Sequence, residues 1–172
     1  DLAITENLGF TPASLRYGVP ENLSEDAADE ERINLGWNGL VLENLIKNNQ
    51  KQTAFELFSR LVLPLKTSLR QNHRLYEAYD AKTGRGRGNQ NHIAGLLPLE
   101  LLLDIAGIRV LSAEKVMILG DNGLPWPITL RFQGLELMRD GKNSQITFAD
   151  GSSFHHYGSS PKTFSPLKPA EL

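Results

Sequence analysis

The spacing of the apolar residues changes once along the chain, near Ile108, and this change limits the folds that the chain can adopt. Over residues 54–69, within a region of three predicted helices, the apolar side chains recur at intervals of three and four, which is the spacing of one side of an α-helix. After Ile108 they alternate with polar residues, as in residues 128–132, which is the pattern of a half-buried strand. The sequence therefore predicts a mainly α-helical region followed by antiparallel β-structure.

Three helices are predicted in the first region. The first begins at Leu35, stops at residues 48–50 and is apolar on nearly all sides, which predicts that it is buried on several sides. The second covers residues 54–69, where Pro64 should kink or break it. The third covers residues 96–105.

The second region contains turn signals typical of hairpins. These are Asp140-Gly141, Asp150-Gly151 and Asn122-Gly123. We therefore expect an N-terminal loop segment, a helical region, an antiparallel β meander and an extended tail, over residues 1–34, 35–112, 113–157 and 158–172, respectively.

Composition argues against nucleic-acid, membrane and metal partners. The 18 basic and 20 acidic side chains nearly balance, so no nucleic-acid partner is expected. No apolar run reaches the roughly 18 residues of a membrane helix, so no membrane partner is expected either. The chain has no cysteine, its four histidines lack ligand spacing, and we expect neither a metal nor a cofactor. We expect a cytoplasmic protein, with the periplasm as the alternative. Because the chain begins at Asp1, we expect a processed product or an excised part of a longer protein.

Residues 75–88 carry most of the side chains that could do chemistry, and the sequence predicts that they form a glycine-rich loop. A first helix that begins near Trp37 and a second that returns would place Glu77 on the same rim as Trp37. In helical folds, sites are built from side chains on facing elements in this way. The rim would collect aromatic rings, one carboxylate and a basic loop.

Four short strings follow one another in an order that resembles a known group of enzymes. They are Gly36-Trp37, Glu43-Asn44-Leu45, Tyr76-Glu77-Ala78-Tyr79-Asp80 and Thr83-Gly84-Arg85-Gly86-Arg87-Gly88. The order resembles the last part of the (α/α)6-barrel glycosidases, in the group of trehalases, family 63 glucosidases and mannosylglycerate-hydrolase-like enzymes. Pro125-Trp126-Pro127 resembles a β segment of the same group, and the likeness covers about residues 33–135. It implies a mainly α fold with appended antiparallel β-structure, namely a partial (α/α)6 toroid followed by a β meander.

The resemblance also implies a function. The chain would be the C-terminal portion of an inverting glycosidase that hydrolyses α-linked gluco- or manno-configured sugars, with Glu77 as the general base. Asp80 lies on the same segment, whereas acid and base must flank the bond, so Asp80 is not the acid. The acid of these enzymes is an aspartate upstream of the matched region, so we expect the isolated chain to be inactive. The residues expected to bind substrate are Trp37, Tyr76, Tyr79, Arg85, Arg87 and His92.

Other interpretations of these residues remain open. The aromatic rim could belong to a non-catalytic carbohydrate-binding or interaction module, and the arginine–glycine string could contact nucleic acid. Glu77 could also be a surface carboxylate, Trp37 a core residue, and the two tyrosines packing residues. The expected partners are an oligosaccharide or small glycoside, and the rest of a parent protein or a second copy bound through an exposed apolar face.

Overall fold

The structure is a computed structural model that describes Gly18 and residues 32–81, 83–98 and 100–167. These residues form three α-helices and ten strands, and the strands make three antiparallel sheets. The chain divides into two compact units, Asp1–Leu101 and Leu102–Leu172. The predicted mainly α fold with a partial (α/α)6 toroid is therefore wrong, because the described part of the chain is mostly β-structure and holds a single pair of long helices.

The first two predicted helices are present. Helix α1 spans Leu35–Lys47 and helix α2 spans Lys51–Asn72. At the start of α1 the Asn34 side-chain oxygen accepts the Trp37 backbone N–H at 3.1 Å, which satisfies one of the free donors of the first turn. Asn49, in the connection, has a φ of +59°, a left-handed conformation that asparagine tolerates better than most residues.

The two helices bury different amounts of their surface. Helix α2 buries residues at helical spacing: Ala54, Leu57, Phe58, Leu61, Pro64, Leu65 and Ser68. Helix α1 does not follow the prediction of burial on several sides, because Trp37 is 51 % exposed and Leu40 is 58 % exposed. Apolar residues lie on nearly all sides of α1, but the first unit buries only some of those sides.

Pro64 does not break α2, which runs through it without interruption. A proline inside a helix costs about 3 kcal/mol, because it removes one backbone hydrogen bond and crowds the preceding turn. Pro64 is itself buried on the apolar side of the helix. Burying seven side chains on that side outweighs the local cost, so the helix extends to Asn72.

The first unit also contains a three-stranded sheet that the sequence did not predict. Its strands are β1 (Arg32–Ile33), β2 (Tyr76–Asp80) and β3 (Gly86–Gln90), in the order β1-β2-β3. Strands β2 and β3 form a hairpin, so the prediction of a glycine-rich loop is wrong for most of its length. In β1, Ile33 pairs with Tyr79, and both side chains are completely buried.

The third helix is shorter than predicted. A 3-10 helix, Ile93–Gly95, precedes α3, which spans only Glu100–Ile105. Pro98 lies between them and donates no backbone hydrogen bond, so the apolar run does not become one helix from residue 96. Gly107 follows α3 with a φ of +67°, the left-handed conformation that often ends a helix.

The second unit consists of two antiparallel sheets. The first has the order β10-β5-β4, and the second is a meander, β6-β7-β8-β9. The strands are β4 (Ile108–Ser112), β5 (Lys115–Ile118), β6 (Ile128–Phe132), β7 (Leu135–Asp140), β8 (Asn143–Thr147), β9 (Ser153–Tyr157) and β10 (Lys162–Phe164). The predicted meander is thus present over β6 to β9. The segment predicted as an extended tail contributes β10, which pairs with β5.

Two of the three predicted hairpin turns are confirmed. Gly141 has a φ of +53° between β7 and β8, and Gly151 has a φ of +84° between β8 and β9. The prediction at Asn122-Gly123 is wrong, because these residues lie between β5 and β6, which belong to different sheets. The Asn122 side chain instead bridges its own loop, where it accepts from the Leu124 N–H at 3.0 Å and donates to the Trp126 carbonyl at 3.2 Å.

The core of the second unit lies between its two sheets. Phe154 of β9 contacts Phe164 of β10 with the ring centroids 5.7 Å apart, and it meets Phe148 edge-on at 6.0 Å. Arg139 of β7 is completely buried, and its guanidinium donates to the carbonyl oxygens of Gly107 and Gly120. These carbonyls flank β4 and β5, so Arg139 links one sheet to the other.

In the described part of the chain, no helix combines the length and the apolar character that crossing a lipid bilayer requires.

Candidate functional site

The β2–β3 hairpin carries five of the seven side chains that the sequence singles out. Tyr76 pairs with Gln90 and Tyr79 pairs with Gly86, and the register shifts between them. The turn is closed by two backbone hydrogen bonds of 2.8 Å, from the Asp80 N–H to the Arg85 carbonyl and from the Gly84 N–H to the Asp80 carbonyl. The hairpin therefore presents these side chains on ordered strands.

Glu77 uses its carboxylate to hold the hairpin together. Its Oε2 accepts the backbone N–H of Asn89 and the side-chain N–H of Asn89, each at 3.1 Å. Gly88 makes this approach possible, because a Cβ there would lie 2.8 Å from Oε2. Gly88 also has a φ of +75°, which favours glycine. The half-buried carboxylate thus has a structural role within the sheet.

Asp80 organises the turn and one arginine. Its Oδ1 accepts the Thr83 backbone N–H at 2.8 Å and the Thr83 hydroxyl at 2.9 Å. Its Oδ2 accepts from the Arg87 guanidinium at 2.7 Å. Such a carboxylate bonded to the backbone a few residues later is a common way to stabilise a turn. Arg87 is therefore engaged by a carboxylate of its own hairpin.

The two tyrosines differ in exposure. Tyr79 is completely buried, and its hydroxyl oxygen accepts the Tyr76 backbone N–H at 3.3 Å. Burial disfavours the phenolate and raises the pKa of Tyr79. Tyr76 is half-buried, and its ring lies so close to Gly86 that a Cβ there would overlap it. Only Tyr76 of the two therefore presents part of its side chain to solvent.

A cleft of about 530 Å³ lies between the C-terminal half of α2 and the hairpin. It is lined by Thr67, Ser68, Gln71, Asn72, Tyr76, Thr83, Gly84, Arg85 and Gly86. The cleft brings together Tyr76 and Arg85 of the predicted site. The sequence analysis missed its α2 side, although the polar pairs 67/71 and 68/72 have the i, i+4 spacing of one helix face and could have indicated it.

The other five predicted residues do not line this cleft. Three of them have other roles in the hairpin. Glu77 accepts hydrogen bonds from Asn89, Tyr79 is buried, and Arg87 forms an ion pair with Asp80. The remaining two, Trp37 and His92, lie outside the hairpin.

Trp37 and His92 both lie at the start of a helical segment. Trp37 lies in the first turn of α1 and is half-exposed. The interpretation of Trp37 as a core residue is therefore wrong. His92 is exposed and precedes the 3-10 helix, where its Nδ1 accepts the Ala94 backbone N–H at 3.3 Å. This bond gives His92 a capping role in the structure.

The described residues contain no group of three His, Asp or Glu side chains arranged to hold a metal ion. The cleft of the first unit is instead lined by hydroxyls, amides, one guanidinium and one aromatic ring. Such a lining suits hydrogen bonding to a polar, uncharged or anionic molecule.

The comparisons with known proteins give no relatives: no family model matches the chain, and no curated protein and no solved structure matches it.

Proposed function

We propose that the chain is a non-catalytic carbohydrate-binding module that binds a saccharide in the cleft between α2 and the β2–β3 hairpin. The observation that carries the proposal is the composition of this cleft, where Tyr76 and Arg85 face a helix side that carries Thr67 and Gln71. Amide side chains both donate and accept hydrogen bonds, as sugar hydroxyls do, and the Thr67 hydroxyl, which donates to the Leu63 carbonyl at 2.9 Å, can accept one. The ring of Tyr76 provides an apolar surface for the C–H groups of a sugar.

The dimensions of the cleft agree with this proposal. Small-molecule sites in proteins commonly enclose roughly 300–1,000 Å³, and this cleft has about 530 Å³. Arg85 is exposed at its edge and carries a permanent positive charge, so it can hydrogen-bond a hydroxyl or a carboxylate of the ligand. The ligand class is therefore a neutral or acidic saccharide.

Hydrolysis with Glu77 as general base is the second candidate function. Both described hydrogen bonds to its carboxylate enter at Oε2, and among the described residues Oε1 accepts none, which leaves an oxygen able to receive a proton from water. Inverting hydrolysis also needs an acid roughly 6.5–9.5 Å from the base. The family resemblance puts that acid outside this chain, and Glu77 is outside the cleft lining. Binding without hydrolysis is therefore the function we favour.

The test of binding is a titration of the ¹⁵N-labelled full chain with methyl α-glucoside, methyl α-mannoside and their oligosaccharides, followed by NMR. We expect shifts at the amides of residues 67–72 and 83–86. Arg85→Ala should weaken binding about tenfold, equal to roughly 1.4 kcal/mol. The matched control is Arg131→Ala, which removes another exposed arginine, on β6, paired with Glu136 at 2.9 Å. Equal affinities of wild type and Arg85→Ala would contradict the proposal.

The same samples separate binding from hydrolysis. The proton spectrum resolves the anomers of any sugar released, and we expect no release over the time of the titration. Release of the inverted anomer by the wild type, abolished in Glu77→Gln, would instead support the second candidate.

A further inference from the structure

The outward side of the four-stranded sheet carries a regular grid of side chains. Register pairs Met138 with Gln145 and Gln145 with His155, which makes one row across β7, β8 and β9. The next row on the same side consists of Asp140, Asn143 and Tyr157, paired in the same way. Because side chains alternate along a strand, both rows point away from the core.

These six side chains line a second cleft, of about 270 Å³. Tyr157 is 77 % exposed and Met138 is 47 % exposed, so an apolar surface lies beside the polar groups. Directly opposed side chains in antiparallel strands have Cβ atoms about 4.5–5.5 Å apart, close enough for neighbours to contact one ligand together. The cleft therefore combines an aromatic ring with two amides, a carboxylate and an imidazole on one side of the four-stranded sheet.

We propose that this cleft is a second saccharide-binding site, which takes one pyranose ring. The ring of Tyr157 and the thioether of Met138 offer an apolar surface to the C–H groups of a sugar. Asn143 and Gln145 each carry donors and an acceptor that match vicinal hydroxyls, and the Asp140 carboxylate accepts from a hydroxyl. The choice of a saccharide, among ligands that contain a ring, rests on the proposed function. The arrangement of the side chains and the presence of the cleft are independent of that proposal.

The size and charge of the second cleft make its selectivity different from that of the first. Its volume of about 270 Å³ is about half the 530 Å³ of the first cleft, so we expect it to hold a single sugar ring. Asp140 would repel a uronic acid, whereas Arg85 of the first cleft would attract one. Methyl glucoside should therefore bind the second site more tightly than methyl glucuronide does.

The experiment is an NMR titration of the full chain with methyl α-glucoside, methyl α-mannoside, methyl glucuronide and, as a planar-ring comparison, uridine. We expect at least one of the two neutral glycosides to shift the amides of residues 138–145 and 155–157. Tyr157→Ala should weaken that binding about tenfold, and Gln145→Ala about threefold. Both side chains are exposed, so neither change should unfold the sheet. The control is Phe132→Ala, an exposed aromatic on β6 outside the cleft.

The outcomes keep the two sites separate. Shifts confined to the first unit would overturn this inference and leave the proposed function standing. Shifts confined to residues 138–157 would support the second site and contradict binding in the first cleft. Binding of uridine in preference to every glycoside would also overturn it. Asp140→Asn should reduce the preference for glucoside over glucuronide, and an unchanged preference would contradict the role given to that carboxylate.

Discussion

Glu77 and Asn89 are joined across the β2–β3 hairpin by two hydrogen bonds of 3.1 Å, one from the backbone N–H and one from the side-chain N–H of Asn89, both to the same carboxylate oxygen. The resemblance to glycosidases implied that Glu77 is a catalytic base; in the structure its carboxylate joins the two strands of the hairpin. The contact joins the two strands of the hairpin that carries Tyr76 and Arg85, which line the cleft proposed above as a saccharide site.

The Glu77–Asn89 contact depends on the space at Gly88. Gly88→Ala should lower the free energy of unfolding of the first unit by about 2–3 kcal/mol, because it adds a crowded Cβ to a left-handed backbone. Gly151→Ala is the matched control, since its φ of +84° is similar but nothing lies within 4 Å of the added atom, and it should cost only about 1 kcal/mol. Urea unfolding, followed by resolved NMR signals of the unit that carries each glycine, measures both. Equal costs would show that the crowding is unimportant.

Asp80 should matter more for the turn than for its ion pair. Asp80→Asn keeps an oxygen for the two Thr83 bonds and removes the charge opposite Arg87, whose side chain is 46 % exposed, so we expect a loss of less than about 1 kcal/mol. Asp80→Ala removes the turn bonds as well and should cost about 1–2 kcal/mol. Hydrogen exchange of the hairpin amides reports both variants. We predict that Asp80→Ala loses more stability than Asp80→Asn. A larger loss in Asp80→Asn would mean that the ion pair dominates.

Tyr79 should make the first unit less stable at alkaline pH. Burial raises the pKa of Tyr79 in the folded chain above the ordinary value of about 10, so the unfolded chain loses the phenolic proton first. The resulting stabilisation is complete below pH about 10 and is lost as the pH rises through the folded pKa. Unfolding free energies measured from about pH 8 to 11 should therefore fall, and Tyr79→Phe should reduce the slope.

Arg139 should be important for the second unit. Arg139→Met leaves the Gly107 and Gly120 carbonyls without this donor, and we expect a loss of about 3 kcal/mol. Arg131→Met breaks an exposed ion pair and should cost less than about 1 kcal/mol. Ser144→Ala, in the row of Arg139, should cost little, because within the described residues its buried Oγ has no hydrogen-bond partner. Thermal unfolding of the three variants gives the comparison, and a small loss for Arg139→Met would show that the buried guanidinium does not stabilise the link between the sheets.

Local patterns predicted the parts of the fold that local interactions stabilise. The apolar spacing located α1 and α2, and the Asp-Gly pairs located two turns of the meander. The β2–β3 hairpin was missed because β3 reads Gly-Arg-Gly-Asn-Gln, a composition that disfavours strands. Its stability comes from the Glu77–Asn89 bonds and from the packing of Tyr79, which local propensity does not contain. Strand β10 was missed for a similar reason, since its partner β5 is distant in sequence.

The candidate site was predictable only on one side. Tyr76 and Arg85 were identified from the hairpin segment, but the α2 side of the cleft depends on how that helix packs beside the hairpin. Had the hairpin been recognised, the i, i+4 polar pairs on α2 would have been the natural second side. The predicted rim assumed that the return of the second helix would bring Glu77 to the same end as Trp37; both helices are present, but neither Trp37 nor Glu77 lines the cleft.

The most direct test of the central claim is the contact between Tyr76 and a bound sugar. With the full chain saturated with the tightest-binding methyl glycoside, we predict intermolecular nuclear Overhauser effects from the Tyr76 ring protons to the C–H groups of the sugar. We also predict that these effects disappear in a Tyr76→Leu variant that stays folded. A saturated complex in which the Tyr76 ring shows no such effects would contradict saccharide binding in this cleft.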